Sequence, residues 1–198
     1  MLNVKNVLLA GTLIFAAPAF AAGDYTEKNF KLVSKDTGTS VQYRGYTSGD
    51  QFTMVEVAQK VGKWKVGYRN TKSNGKTENR YRITAPKVFS LMGVTMKPRA
   101  EWRDWESDQK DSYLRLTPVI QTGGDITNKL SWFLDVKPKF AFGKVGTDNG
   151  RLESVQNDLG VDYQFNDYIS AGIFYEYVAD DNFSKKDDFF GTSIVVKF

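Results

Sequence analysis

The 198-residue sequence contains neither cysteine nor histidine. Without cysteine there is no disulfide, no thiolate metal site and no thiol nucleophile, which suits an oxidising compartment. Without histidine the usual proton shuttle near neutral pH is missing, and the histidine-dependent protease, phospholipase and acyltransferase mechanisms of membrane barrels are excluded. Long apolar runs are scarce too. Beyond residue 21 nothing approaches the roughly 20 consecutive apolar residues of a membrane helix, so any membrane integration must use strands.

What is present begins with an export pattern. Lys5, the apolar stretch 7–17, Pro18 and the small-residue site Ala19-Phe20-Ala21 have the order of a secretory signal, with cleavage expected after Ala21. A buried amino-terminal helix is the alternative, but the stretch is too short to span a membrane and polar residues follow at once. The domain reading is therefore a signal peptide at 1–21, a polar segment at 22–40 and a barrel at 41–198. Residues 22–40 are poorly patterned and leave three readings open: a periplasmic tail, a lumen plug or one further strand.

From residue 41 onward, segments of about ten residues alternate in character between clusters of Gly, Asn, Asp and Ser, the repeat of barrel hairpins. Ten strands are predicted, at 41–48, 52–61, 64–72, 77–88, 94–105, 112–121, 130–143, 151–165, 168–179 and 188–198, an even number that would return both termini to one side. Gly62-Lys63 and Asn166-Asp167 read as tight turns, the latter because both residues tolerate positive φ. The connections at 106–111, 146–150 and 180–187 are longer and charged. Short periplasmic turns and longer external loops fit that alternation.

The faces follow from asking which alternate residues hydrocarbon would accept. Trp64, Val66 and Tyr68 are predicted outside and Lys65, Gly67 and Arg69 inside; Leu130, Trp132, Leu134 and Val136 oppose Ser131, Asp135 and Lys137. The last strand places Phe190, Thr192, Ile194, Val196 and Phe198 on one face and Gly191, Ser193, Val195 and Lys197 on the other. A soluble β-sandwich also alternates. Trp64, Trp102, Trp132, Tyr163, Phe165 and Phe198, however, fall mostly near strand ends, where a membrane interface places amphipathic rings. Pro86, Pro98, Pro118 and Pro138 lie inside predicted strands, on the outward parity and the first three near the expected periplasmic rim, and predict bulges or frayed pairing there because a closed barrel has no edge to host a missing donor.

Twenty-seven basic against 23 acidic residues is a weak imbalance, so the distribution carries the argument. No Lys/Arg cluster or RNA-binding motif points to nucleic acid. Instead Arg44, Lys65, Arg69, Arg80, Arg82, Lys97, Arg99, Arg103, Arg115, Lys137 and Lys139 share the inward parity, with Glu78, Glu101 and Asp135 as partial counterions. Asp158, Asp162, Glu176 and Glu56 are expected across the lumen, setting up a transverse field. Asp158 and Asp162 share a face as a carboxylate pair would in an enzyme, but a solvated polar wall explains them more simply. Inward Gly67, Gly160, Gly172 and Gly191 are expected to leave space for a pore; inward Phe133 and Phe174 argue for a filled tube.

Tyr43-Arg44-Gly45-Tyr46-Thr47-Ser48-Gly49, Gly62-Lys63-Trp64, Lys97-Pro98-Arg99, Leu116-Thr117-Pro118 and the closing Ile194-Val195-Val196-Lys197-Phe198 occur in an order that resembles the oligogalacturonate-specific (KdgM-type) outer-membrane porins. The resemblance implies an all-β, antiparallel transmembrane barrel in a Gram-negative outer membrane, monomeric, without cofactor. It implies passive passage of acidic oligosaccharides along basic tracks, whose counterparts here are Arg44, Arg69, Arg80, Arg82, Arg99, Arg103 and Arg115. Ten strands fall short of the family's twelve, unless 22–40 and a missed segment supply two more. The expectation is a non-enzymatic channel for anionic solutes, set against a closed structural or surface-interaction barrel without transport.

Overall fold

The computed structural model describes residues 26–46, 52–106, 111–143 and 150–198, and these form strands and turns with no helix. The expected signal peptide at 1–21 and the connections at 47–51, 107–110 and 144–149 lie outside the described residues.

The ten predicted strands are all present. They are β2 (Ser40–Tyr46), β3 (Phe52–Val61), β4 (Trp64–Ser73), β5 (Lys76–Thr84), β7 (Val94–Trp105), β8 (Tyr113–Asp125), β9 (Leu130–Phe142), β10 (Arg151–Gln164), β11 (Ile169–Ala179) and β12 (Lys185–Lys197). Two more complete the set: β1 (Thr26–Val33), from the segment whose role the sequence left open, and the short β6 (Phe89–Leu91). Each strand pairs with its neighbour, β5 closes on β7, and β6 pairs with β7 alone. The result is a closed barrel of eleven strands with one short strand outside it.

This corrects the expected even count, and the odd number has a geometric consequence. In a cylinder of alternating up and down strands, an odd total forces one parallel pair. That pair is β1 with β12, in register from Thr26↔Phe190 to Val33↔Lys197. Thr26 therefore sits at the end of the long connections and Lys197 at the end of the short turns, so these two strand ends do not return to one side.

The outer face is apolar and the inner face charged, the reverse of a water-soluble protein. Val55, Val57, Trp64, Val66, Tyr68, Tyr81, Ile83, Trp102, Trp132, Leu159, Tyr163 and Ile173 are exposed on the outside. Glu27, Glu56, Glu78, Glu101, Arg103, Arg115 and Glu176 are buried within.

The turns refine the sequence reading. Asn74-Gly75 joins β4 to β5 with φ of 50° and 73°, the left-handed geometry that hairpins favour. The predicted Asn166-Asp167 hairpin is present, but neither residue has positive φ. The Asn166 side chain instead accepts the backbone N–H groups of Tyr168 and Ile169 at 2.9 and 3.0 Å, an Asx turn.

The ladder breaks at Pro86 and between Pro118 and Pro138, while Pro98 keeps its place in the β7–β8 pairing. At Pro86 strand β5 stops, and pairing against β7 resumes at Phe89 with two extra residues on that side. Pro98 faces Pro118 across β7 and β8. Between β8 and β9, pairing is lost from Thr117 to Val119 and resumes at Ile120↔Val136 in unchanged register, which places Pro118 opposite Pro138. On β10 a bulge follows Leu152, and Ser154 partners Lys139. Pro118 thus lies mid-strand, level with the other two prolines, rather than near the rim.

Candidate functional site: a cationic lumen

Alternation along eleven strands delivers the inward residues to one cavity of about 390 Å³. Nine of the eleven predicted site residues line it: Arg44, Lys65, Arg69, Arg80, Arg82, Arg99, Arg115, Lys137 and Lys139. Lys97 lines a second cavity of about 590 Å³ at the short-turn mouth, and its Nζ donates to Gln121 at 2.9 Å. Arg103 is buried away from both, held by Glu78, Tyr113 and Glu153. Lys31, which sequence reasoning missed, lines both cavities. It sits on β1, whose short, polar segment gave no clear alternation.

Much of this charge is consumed internally. A chain of alternating sign runs Arg80–Glu78 (2.6 Å), Glu78–Arg103, Arg103–Glu153 (3.6 Å), Glu153–Arg115 (2.6 Å), Arg115–Glu101 (4.0 Å), Glu101–Arg82 (2.7 Å), Arg82–Glu56 and Glu56–Arg69 (2.7 Å). Tyr113 donates to Glu153 at 2.9 Å and completes it. Arg44 bridges Glu27 on β1 and Glu176 on β11, a clamp across the parallel seam. Lys137 pairs with Asp135 and Asp158. The expected separation of basic and acidic walls is therefore corrected: carboxylates are interleaved with the arginines and neutralise them by contact. Glu153 escaped the sequence reading because the bulge takes it off simple parity.

Lys31, Lys65, Lys97, Arg99 and Lys139 line these cavities and have no carboxylate within ion-pair distance among the described residues. Lys65, Thr84, Arg99 and Thr117 are successive cross-strand partners, and Lys139 stands opposite Thr117 in the register that β8 and β9 keep. The main cavity is lined by ten cations and six carboxylates. The mouth is more one-sided: Lys31, Lys60, Lys63, Lys65, Lys87 and Lys97 line it, with no carboxylate.

The inward glycines do not open a pore as expected. Phe133 and Phe174 both face Gly160 across their strand pairs, and Phe174 faces Gly191. A methyl group at Gly160 would meet the Phe133 ring at 2.6 Å, and at Gly191 it would collide with Phe174. Gly172 lies under the Asp162 carboxylate, and a methyl group at Gly67 would meet Ala58 at 3.0 Å. These glycines accommodate neighbouring side chains, as edge and barrel glycines do opposite aromatic rings.

At the long-connection end the lumen is filled. Glu27, Met54, Glu78 and Phe189 are the most deeply buried large side chains, and Tyr46 stacks on Phe52 at 4.6 Å and packs on Phe189 at 5.6 Å. The lumen thus has a packed half and an open half.

The sequence matches no protein-family model and no curated protein.

Proposed function

We propose that this protein is an outer-membrane β-barrel whose lumen partitions anionic solutes, with acidic sugars and short acidic oligosaccharides as the preferred class. The observation that carries this reading is the run of uncompensated cations, Lys31, Lys65, Lys97, Arg99 and Lys139 among them, along two cavities that share Lys31 and Lys65. Each charge about 10 Å from an anion contributes only about 0.4 kcal/mol in bulk water, but several in a low-dielectric tube sum to a few kcal/mol. That magnitude favours entry of anions without trapping them. The apolar, aromatic-rich exterior supports placement in a bilayer, where closed barrels satisfy every backbone group without an edge. The leader pattern supports export, and the resemblance to oligogalacturonate-specific porins supports both the compartment and the solute class.

A specific observation favours a second reading, a sealed barrel: the packed layer of Glu27, Tyr46, Met54 and Phe189 and the nine-residue charge chain fill much of the tube. Planar-bilayer recording of the refolded protein separates the two. Steady conductance with a reversal potential favouring anions supports the channel; a folded, inserted protein that stays silent supports the sealed barrel.

A further inference from the structure

The cavity at the short-turn mouth differs in kind from the main cavity beyond it. Lys31, Lys60, Lys63, Lys65, Lys87 and Lys97 line it, and neither arginine nor carboxylate joins them among the described residues. The main cavity instead draws on six arginines, all but Arg99 held in ion pairs.

Register sets two of the mouth lysines in direct opposition. Lys60 on β3 faces Lys65 on β4, next to the Gly62-Lys63 turn; Lys65 faces Thr84 on β5, whose partner on β7 is Arg99. Lys60, Lys65, Thr84 and Arg99 thus form a row of inward donors, one strand or about 4.8 Å apart. Like charges directly opposite destabilise a sheet, and neither Lys60 nor Lys65 has a carboxylate within ion-pair distance among the described residues to relieve the repulsion.

Neighbours hold these lysines in place without neutralising them. Gly38, at φ 67° in the β1–β2 turn, lies against the Lys60 stem, where a methyl group would meet Lys60 Cβ at 2.8 Å. Gln59 donates through Nε2 to the Thr37 carbonyl at 2.9 Å and ties that turn to β3. Two residues along β7 from Arg99, Lys97 donates to the Gln121 amide, which itself donates to Asp135 at 3.0 Å. Lys97 is therefore oriented by an amide and keeps its charge.

A ligand for this mouth must concentrate more negative charge than one carboxylate carries. A phosphate monoester brings a charge of about −1.5 to −2 on one tetrahedral group. Lysine suits it, because the ammonium is a compact point charge with three rotatable donors, whereas the planar fork of arginine matches the planar carboxylate. We propose that the short-turn mouth is a subsite for phosphate monoesters. The phosphate sits against Lys60, Lys65 and the Thr84 hydroxyl, with Lys31 and Lys97 adding charge from β1 and β7. The subsite rests on the anion reading of the lumen, to which it adds a second solute class, but it does not require conduction.

The test is calorimetric titration of the folded mature chain in zwitterionic micelles with glucose 6-phosphate, and with glucuronate as a singly charged probe of similar size. Glucose 6-phosphate is expected to bind at one site, about tenfold or more tighter than glucuronate. Lys60→Gln with Lys65→Gln removes the opposed pair and is expected to weaken phosphate binding about tenfold while keeping the β-sheet circular dichroism of the parent. Lys35→Gln is the control at the same rim, since the Lys35 ammonium lies 3.9 Å over the Tyr168 ring and lines neither cavity. Its binding is expected to match the parent. Dihexanoyl phosphatidic acid presents the same phosphate on a lipid; whichever of it and glucose 6-phosphate binds more tightly identifies a headgroup or a soluble solute as the source. Glucuronate binding as tight as the phosphate overturns the proposal, as does an equal loss in the Lys35→Gln and double variants, or unchanged binding in a folded double variant. A barrel that conducts anions yet shows no phosphate preference sinks this subsite alone. One that binds the phosphate but stays silent in a planar bilayer sinks the channel and leaves the subsite standing.

Discussion

The two halves of the lumen are built from the same alternation, yet they put charge to different uses. Toward the long connections, Glu78, Arg80, Arg103, Tyr113 and Glu153 are locked together, and Met54, Tyr46 and Phe189 pack the interior at the same end. Toward the short turns, lysines crowd a mouth with no carboxylate among its lining residues. Buried charge needs partners because desolvation costs several kcal/mol per ion; exposed charge does not, and stays available to a solute. The contrast teaches that basic residues on one barrel face are not one functional set: those with carboxylate neighbours hold the wall together, and those without define the site.

The sharpest way to break this contrast is to strip a partner from each half. Glu78→Ala leaves Arg80 and Arg103 buried without their shared carboxylate and is expected to lower stability by about 3–5 kcal/mol, measured by urea unfolding of the detergent-folded barrel. Phe189→Ala attacks the packed half through volume and is expected to cost about 3–5 kcal/mol while raising single-channel conductance. An unchanged conductance would show that this layer does not limit the path. Gly191→Val forces Phe174 from its seat and is expected to cost about 1–3 kcal/mol by overpacking. In the open half, Lys65→Glu with Lys97→Glu is expected to change stability by no more than about 0.5 kcal/mol per site and to shift the reversal potential toward cations. Arg99→Glu is expected to weaken anion selectivity, whereas Arg103→Glu is expected to unfold the barrel before it alters selectivity. Equal, mild effects at both arginines would erase the distinction between the halves. The smallest effect is screening: raising salt from about 0.1 M to 1 M shortens the Debye length from about 10 Å to 3 Å and is expected to reduce the anion preference at the mouth more than deep in the lumen.

The ten strands were legible because outward-facing and lumen-facing residues of a closed barrel must alternate, and each run of Tyr, Trp, Val and Leu against Lys, Arg and Glu marks its own faces. Nine of eleven site residues reached the main cavity for that reason alone. Strand β1 was not legible: Thr26–Val33 carries polar or charged residues on both parities, with Lys28 beside Phe30 and Leu32. Glu153 was hidden by its bulge, and the filling of Gly160 and Gly191 by Phe133 and Phe174 needed a register that no single strand contains. The Asn166 turn shows a milder limit: the residue type marked a turn, but whether its backbone or its side chain would build it depended on the local geometry.

By itself the sequence determined the all-β class, the position of most strands, the direction of most of their side chains and the exclusion of cysteine and histidine chemistry, because these depend on composition and a period of two. Only the tertiary structure decided the odd strand number, the parallel β1–β12 seam, which cations lost their charge to a neighbour, and the meeting of Pro118 with Pro138. Each of those depends on the register between strands distant in sequence, and register is set by closing the whole cylinder rather than by any segment of it.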